Sequence, residues 1–139
     1  MSALNSKFFQ LADYSDINQQ LNVLNLNITN EFWNLIRGNI DTLDDVKFWW
    51  NIVYGDIRGV SYDQYFKNLA LQTLPKDRFD KNTWSVWTNS LMKQSGKKGK
   101  ELFKPLRLCL TGQNNGPEMA NLVLVMGKDK IIERLNNNN

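Results

Sequence analysis

The stretch Lys97–Met119, KKGKELFKPLRLCLTGQNNGPEM, contains the pattern that decides the fold of this chain. Cations and apolar residues interleave at helical spacing in its first part, which predicts a helix with one basic face and one apolar face. The basic face holds Lys100, Lys104, Arg107 and Thr111, and the apolar face holds Leu102, Phe103, Leu106, Cys109 and Leu110. A polar turn, Thr111–Gly116, follows. Pro117-Glu118 is typical of the start of another helix, with Gly116 as its N-cap.

Pro105 lies within the first of these two predicted helices and has no amide to donate to the carbonyl of Glu101. Two arrangements satisfy this constraint. Either the helix starts near Lys104, with the proline in its first turn, or it starts earlier and bends at the proline.

Further helices are predicted on both sides of this stretch, because capping residues repeatedly precede apolar residues at helical spacing. Helix starts are expected at Asn5, Ser15, Thr29, Thr42, Ser61 and either Asn82 or Thr83. Thr42 with Asp45, and Ser61 with Gln64, have the spacing of capping boxes. Helix ends are expected at Gly38, Gly55, Pro75 and Gly96, and the final two helices at about 117–126 and 128–135.

The pattern as a whole predicts an all-α fold, since no segment alternates apolar and polar residues as a half-buried strand does. We expect a single region, 1–139, made of two small packed helical subdomains at about 4–74 and 75–135, with a polar tail at 136–139. The stretches Arg58–Ser61 and Thr73–Asn82 are predicted loops. Most of the five tryptophans are expected in the core, with one of the adjacent Trp49 and Trp50 partly exposed.

Composition excludes several classes of function. The chain has no histidine and a single cysteine, Cys109, so neither a transition-metal site nor histidine acid–base chemistry is expected. We expect Cys109 to be a buried thiol. No apolar run approaches the roughly 18 residues of a membrane span, and the first residues do not resemble a signal peptide. These observations predict a cytoplasmic monomer of 139 residues with one core and no disulfides.

Charge is distributed unevenly along the chain. Residues 1–57 carry three cations and seven acids, a net charge of −4, whereas residues 58–139 carry fourteen cations and seven acids, a net charge of +7. Such asymmetry favours a polyanionic partner for the second part of the chain. A solvated basic surface without a partner is the alternative.

The opening stretch is similar to the C-terminal anticodon-binding domain of bacterial glutamyl-tRNA synthetases. Their string K-G-K-x-L-F-x-P-L-R-x-x-L-T-G, a short turn, G-P-E and a leucine-rich helix correspond to Lys98–Gly112, Gly116–Glu118 and Leu122–Leu135. Two more blocks match, FWNLIRGNIDTLDDVKFWW at Phe32–Trp50 and LNSKFF at Leu4–Phe9. The resemblance therefore extends over almost the whole chain.

This resemblance implies that Arg107 contacts an anticodon base and that Gly116, Pro117 and Met119 contact bases at a helix start. A guanidinium suits this role because it presents a planar fork of donors. The structural alternative is an ion pair between Arg107 and Glu118. Four lysines near Arg107 are expected to attract phosphates: Lys97, Lys98, Lys100 and Lys104.

Arg37 and Asn39 are further candidates by resemblance, because an arginine in this block helps many family members to discriminate the first anticodon position. Here Asn39 occupies the usual arginine slot and Arg37 lies two residues earlier. This departure leaves open whether the protein separates tRNA(Glu) from tRNA(Gln).

The chain lacks HIGH-like and KMSKS-like signatures and a glycine-rich phosphate loop, so we expect no catalytic residues, metal site or cofactor in it. ATP and magnesium would belong to the catalytic domain of the full glutamate–tRNA ligase, of which this chain would be an excised domain or a natural fragment. The implied function is to position tRNA(Glu), with tRNA(Gln) as an additional partner. The alternatives are a protein-interaction scaffold and a generic RNA binder.

Overall fold

The fold consists of α-helices throughout the part of the chain that the structure, a computed structural model, describes: residues 9, 11–57 and 63–136. The helices are α1 (Tyr14–Leu21), α2 (Asn30–Ile36), α3 (Leu43–Tyr54), α4 (Gln64–Thr73), α5 (Thr83–Ser95), α6 (Lys100–Thr111), α7 (Met119–Met126) and α8 (Lys128–Asn136). Short 3-10 turns at Asn22–Leu24 and Arg37–Asn39 extend α1 and α2. The described ranges contain no strand, which confirms the predicted all-α class.

Several helix boundaries lie where capping chemistry predicts them. The hydroxyl of Thr29 accepts a hydrogen bond from the amide of Phe32 at 3.1 Å. Thr42 and Asp45 form the predicted reciprocal capping box at the start of α3. Helix α5 ends at Gly96, whose φ of 74° is in the left-handed region that glycine tolerates best.

Three predicted helix starts are wrong, because in each case a residue other than the predicted one is the N-cap. Helix α1 begins at Tyr14 after Asp13, not at Ser15, and the Asp16 carboxylate accepts a hydrogen bond from the amide of Asp13 at 3.2 Å. Helix α4 has Asp63 as its N-cap. Helix α7 begins at Met119 with Glu118 as its N-cap, so Gly116 is not the N-cap and Pro117 is not helical.

The first alternative for Pro105 is also wrong. Helix α6 begins at Lys100, after Gly99, and therefore contains the proline in its interior. The amides of Leu102 and Phe103 bond to the carbonyl of Gly99, which starts the helix before the proline. Three predictions fall wholly or mostly outside the described residues: the helix starting at Asn5, the loop Arg58–Ser61 and the end of the polar tail.

Helix α7 lies at the centre of the packing. It contacts α2, α3, α5 and α8, and it buries Met119, Leu122, Val123 and Met126. Helix α4 packs against α5 and α8, and α6 packs against α8. Buried residues from all these helices belong to one hydrophobic cluster. The division into two subdomains near residue 74 stays a prediction.

The tryptophans mostly belong to this core, as predicted. Trp33 and Trp87 are fully buried and donate their indole N–H groups to the carbonyls of Ala12 and Ala70, at 2.8 and 2.9 Å. Of the adjacent pair, Trp49 is buried and Trp50 is half-buried. Buried indole groups with hydrogen-bond partners fix the orientation of these large side chains.

Arg134 joins three helices in the core, a role that the sequence analysis did not predict. Its side chain is buried, and its two terminal nitrogens donate to the carbonyls of Leu110 in α6 and of Gly55 at the end of α3. Burial lowers the pKa of this guanidinium from its usual value. Arg134 therefore satisfies the C-terminal carbonyls of two helices from a third.

We expect Arg134→Leu to lower the free energy of unfolding by about 2–4 kcal/mol, because one buried and one partly buried carbonyl lose their charged donor. Urea unfolding monitored by circular dichroism measures this change. Arg78→Leu is the matched control, since Arg78 is exposed, and its effect should stay within about 0.5 kcal/mol. Equal effects of the two substitutions would contradict the role assigned to Arg134.

Cys109 is buried, as predicted, with 3% of its surface exposed. Burial raises the pKa of its thiol from 9.0 to about 11, and this effect outweighs the opposing positive charge of Lys67. The folded protein therefore keeps the Cys109 proton over a pH range in which the unfolded chain loses it.

This pKa difference predicts a loss of stability at alkaline pH. Below about pH 9 the thiol is neutral in both states, and between about pH 9 and pH 11 only the unfolded chain ionises, so unfolding becomes more favourable by about 2 kcal/mol. We expect Cys109→Ala to remove this part of the pH dependence in urea titrations. Parallel stability curves for the wild type and Cys109→Ala across this range would show that the thiol does not contribute.

Candidate nucleic-acid interface

The basic face of α6 borders a groove. This α6 groove has a volume of about 560 Å³ and is lined by Gly99, Lys100, Phe103, Lys104, Arg107, Asn114 and Asn115. One wall is the exposed side of α6 and the other is the turn that follows it. None of the lining residues is acidic, so the groove suits an anionic ligand.

The apolar side of α6 packs against the core and thereby fixes the position of the α6 groove. Leu102, Leu106 and Leu110 are fully buried, and burial of three leucines stabilises the helix position by several kcal/mol, at about 2 kcal/mol each. The cations therefore project from a backbone that tertiary packing fixes.

Phe103 departs from the predicted apolar face. Its side chain is 40% exposed and lines the α6 groove instead of the core. Phe103 lies three residues after Lys100 and four residues before Arg107, so its side chain is on the same side of the helix as theirs. It is at the border between this basic face and the apolar face that contains Leu102. This spacing is the sequence signal that could have identified Phe103 as a groove residue.

Arg107 lies where α6 meets the turn, beside Gly116 and Trp49. One terminal nitrogen, Nη1, is buried without a hydrogen-bond partner among the residues that the structure describes. The alternative ion pair with Glu118 does not form: Arg107 makes no ion pair within the described ranges, and the Glu118 carboxylate accepts a hydrogen bond from the side chain of Asn121. Burial lowers the pKa of the Arg107 guanidinium.

Gly116 permits this close packing. A Cβ atom at this position would lie 2.5 Å from Cη2 of Trp49 and 3.2 Å from Nη1 of Arg107, and the φ of 155° also disfavours other residues. Pro117 and Met119 are buried beneath the turn, Met119 with 7% of its surface exposed. The turn can therefore approach α3 and Arg107 only with glycine at this position.

The other predicted site residues lie elsewhere. Arg37 donates to the carbonyl of Ala12 at 2.9 Å and forms an exposed ion pair with Asp13, so it joins the end of α2 to the start of α1. Asn39 is exposed in the 3-10 turn after α2. Neither residue lines the α6 groove.

The four predicted phosphate-binding lysines all lie at the start of α6 or just before it. Lys100 and Lys104 line the α6 groove, and with Lys97 they also line a second groove, of about 350 Å³, on the adjoining face of the helix. Lys98 is exposed. A run of cations bordering two grooves is suited to follow a phosphate backbone.

The described residues contain no cluster of three or more histidine, cysteine or acidic side chains that could hold a metal ion. Within the same ranges, no helix is both long and apolar enough to cross a membrane.

We expect Gly116→Ala to lower the free energy of unfolding by about 1–3 kcal/mol, because the new methyl group collides with Trp49. In a Trp49→Leu background this penalty should shrink by at least about 1 kcal/mol, as chemical denaturation of the four proteins of a double-mutant cycle would show. Gly38→Ala is the control, since nothing lies within 4 Å of a Cβ there. Additive effects of the two substitutions would contradict the contact.

Comparison with known proteins identifies the family. Residues 11–138 match the family described as the anticodon binding domain. The chain is 36% identical over 138 residues to glutamate–tRNA ligase 1 of Rickettsia typhi, covering 97% of this chain and 31% of that protein. It is 38% identical over 135 residues to glutamate–tRNA ligase 1 of Maricaulis maris, covering 97% of this chain and 30% of that protein.

A solved structure has the same fold. The crystal structure of a glutamate tRNA ligase from Elizabethkingia meningosepticum superposes with a TM-score of 0.74 at 18% identity, covering 95% of this chain and 30% of the other. The chain thus spans about 30% of the length of the curated relatives named here. The match over residues 11–138 shows that the chain belongs to the anticodon-binding domain family and confirms its resemblance to this part of the glutamyl-tRNA synthetases.

Proposed function

We propose that this chain binds the anticodon arm of tRNA(Glu) and positions the tRNA for glutamylation by the catalytic domain of a glutamate–tRNA ligase. The observation that carries the proposal is the α6 groove, in which Lys100, Lys104 and Arg107 face the turn before α7. Lysine–phosphate contacts would supply affinity that does not depend on sequence, and Arg107 would supply base selectivity.

The environment of Arg107 supports this assignment. Its Nη1 atom has no hydrogen-bond partner among the described residues, so no hydrogen bond from that atom commits Arg107 to a purely structural role. The guanidinium lies close to Gly116, with Nη1 3.2 Å from the position that a Cβ atom there would occupy, and this close packing limits its freedom before RNA binds. A preorganised arginine loses less entropy on binding than a mobile lysine does.

Gly116, Pro117 and Met119 complete the proposed site in different ways. Because Pro117 and Met119 are buried, we assign them to supporting the turn from beneath, while the main chain at Gly116 approaches the base. Asn39 is exposed and free to contact the first anticodon base, whereas Arg37 is engaged with Ala12 and Asp13. Recognition of tRNA(Gln) as well as tRNA(Glu) is part of this proposal, since an asparagine occupies the usual arginine slot.

The remaining components of the reaction would lie outside this chain. In the proposed full enzyme, ATP and magnesium act in the catalytic domain, and the present residues contribute only tRNA positioning. A cytoplasmic location and a monomeric state are further parts of the same proposal.

We expect Arg107→Ala to weaken binding to tRNA(Glu) by at least about tenfold without lowering the melting temperature, because Arg107 forms no ion pair within the described residues. Filter binding or fluorescence anisotropy at about 0.15 M salt measures this change. Arg78→Ala, an exposed arginine outside the α6 groove, is the matched control. Unfolding of Arg107→Ala would indicate a structural role instead.

The same assay tests the function itself when tRNA(Glu) is compared with a copy whose anticodon is substituted. Preference for the native anticodon is the expected result. Equal affinity for the two RNAs would favour a generic RNA binder. Absence of binding by both this chain and the full-length ligase would favour a protein-interaction scaffold.

A further inference from the structure

A series of aromatic rings leads from the hydrophobic core to the α6 groove. Trp87 is fully buried and anchored by its hydrogen bond to the carbonyl of Ala70. Trp84 meets Trp87 edge-on, with ring centroids 5.8 Å apart. Phe103 continues the series at 6.1 Å from Trp84, with their ring planes tilted by 35°.

This support fixes the half-exposed ring of Phe103. An aromatic ring that packs against a half-buried neighbour, itself anchored on a buried ring, loses little conformational entropy when a ligand covers it. With 40% of its surface exposed, Phe103 also has apolar surface that a ligand could remove from water.

The surroundings of Phe103 are polar and cationic. Lys100 precedes it by one helical turn and Arg107 follows it by one, and both line the same groove. Exposed Asn114 and Asn115 form part of the opposite wall. An aromatic ring among cations, with amides nearby and no acidic lining residue, is the combination that binds single-stranded nucleic acid.

We infer that Phe103 is the stacking platform for one unpaired base of the bound RNA. The base lies against the ring, its phosphates lie toward Lys100 and Lys104, and the amides of Asn114 and Asn115 are within the same groove to contact the base edge. The inference rests on the proposed function and deepens it, because it adds a binding residue that acts by stacking.

A cationic and aromatic groove could in principle also accept an acidic protein segment. The absence of acidic side chains from the lining does not distinguish these ligands, but the planar half-exposed ring backed by Trp84 favours a flat aromatic ligand. RNA bases supply such surfaces at every nucleotide, and we therefore assign the groove to RNA.

The test uses the full 139-residue chain and hairpins of the tRNA(Glu) anticodon arm, one intact and the others each with a single abasic nucleotide in the loop. Phe103→Leu should weaken binding to the intact hairpin by about five- to a hundredfold, the range expected for loss of one base stack. Phe103→Tyr keeps the ring and should bind within about twofold of the wild type. Phe48→Leu, which alters a phenylalanine that is 45% exposed on α3 and outside the groove, is the matched control.

The abasic hairpins identify the stacked base. At one loop position, removal of the base should abolish the difference between the wild type and Phe103→Leu, while at other positions the difference persists. A Phe103→Leu effect of the same size at every position, or no effect at any, would overturn the stacking role. The proposed function would survive that result if the wild type still prefers the native anticodon, whereas failure of both this chain and the full-length ligase to bind any hairpin would overturn both.

Discussion

Burial of α7 is the constraint on which the rest of the structure depends. This short apolar helix contacts α2, α3, α5 and α8, so its position is set from several directions at once. The turn that precedes it must therefore pass close to Trp49, and glycine at position 116 makes that approach possible. One wall of the α6 groove is thus placed by the hydrophobic core and not by the polar residues that line it.

The second wall of the α6 groove is the exposed side of α6 itself, and its position depends on a different part of the core. Leucines on the inner side of α6 hold the helix, and Arg134 bonds to its C-terminal end and to the end of α3. The groove consequently lies between two elements that are each anchored separately. Such a site needs little rearrangement to bind, and the energetic cost of ordering its side chains is small compared with that of a site on a mobile loop.

Local chemistry determined which features the sequence could predict. Thr29 and Thr42 cap their helices with residues three positions away, so a short window contains the whole interaction. Phe103 lies at the border between two helix faces, where periodicity alone does not decide exposure. Arg134 carried no local signal, because its partners lie 24 and 79 residues away along the chain. The start of α7 was misplaced by two residues, since its N-cap is Glu118 and not Gly116.

The buried thiol of Cys109 has a practical consequence for the study of this protein. Cys109 is the only cysteine of the chain and follows Arg107 by two residues, on the opposite side of the same helix. A thiol reagent reaches it only when α6 leaves the core, so the labelling rate reports the free energy of that opening. A ligand that binds only the folded state lowers the population of open molecules and so slows the labelling of Cys109. The extent of this slowing measures how much of the protein is bound, and neither the ligand nor the protein needs an added label for detection. Labelling of Cys109, on the buried side of α6, would therefore measure ligand binding at the proposed site on the exposed side of the same helix.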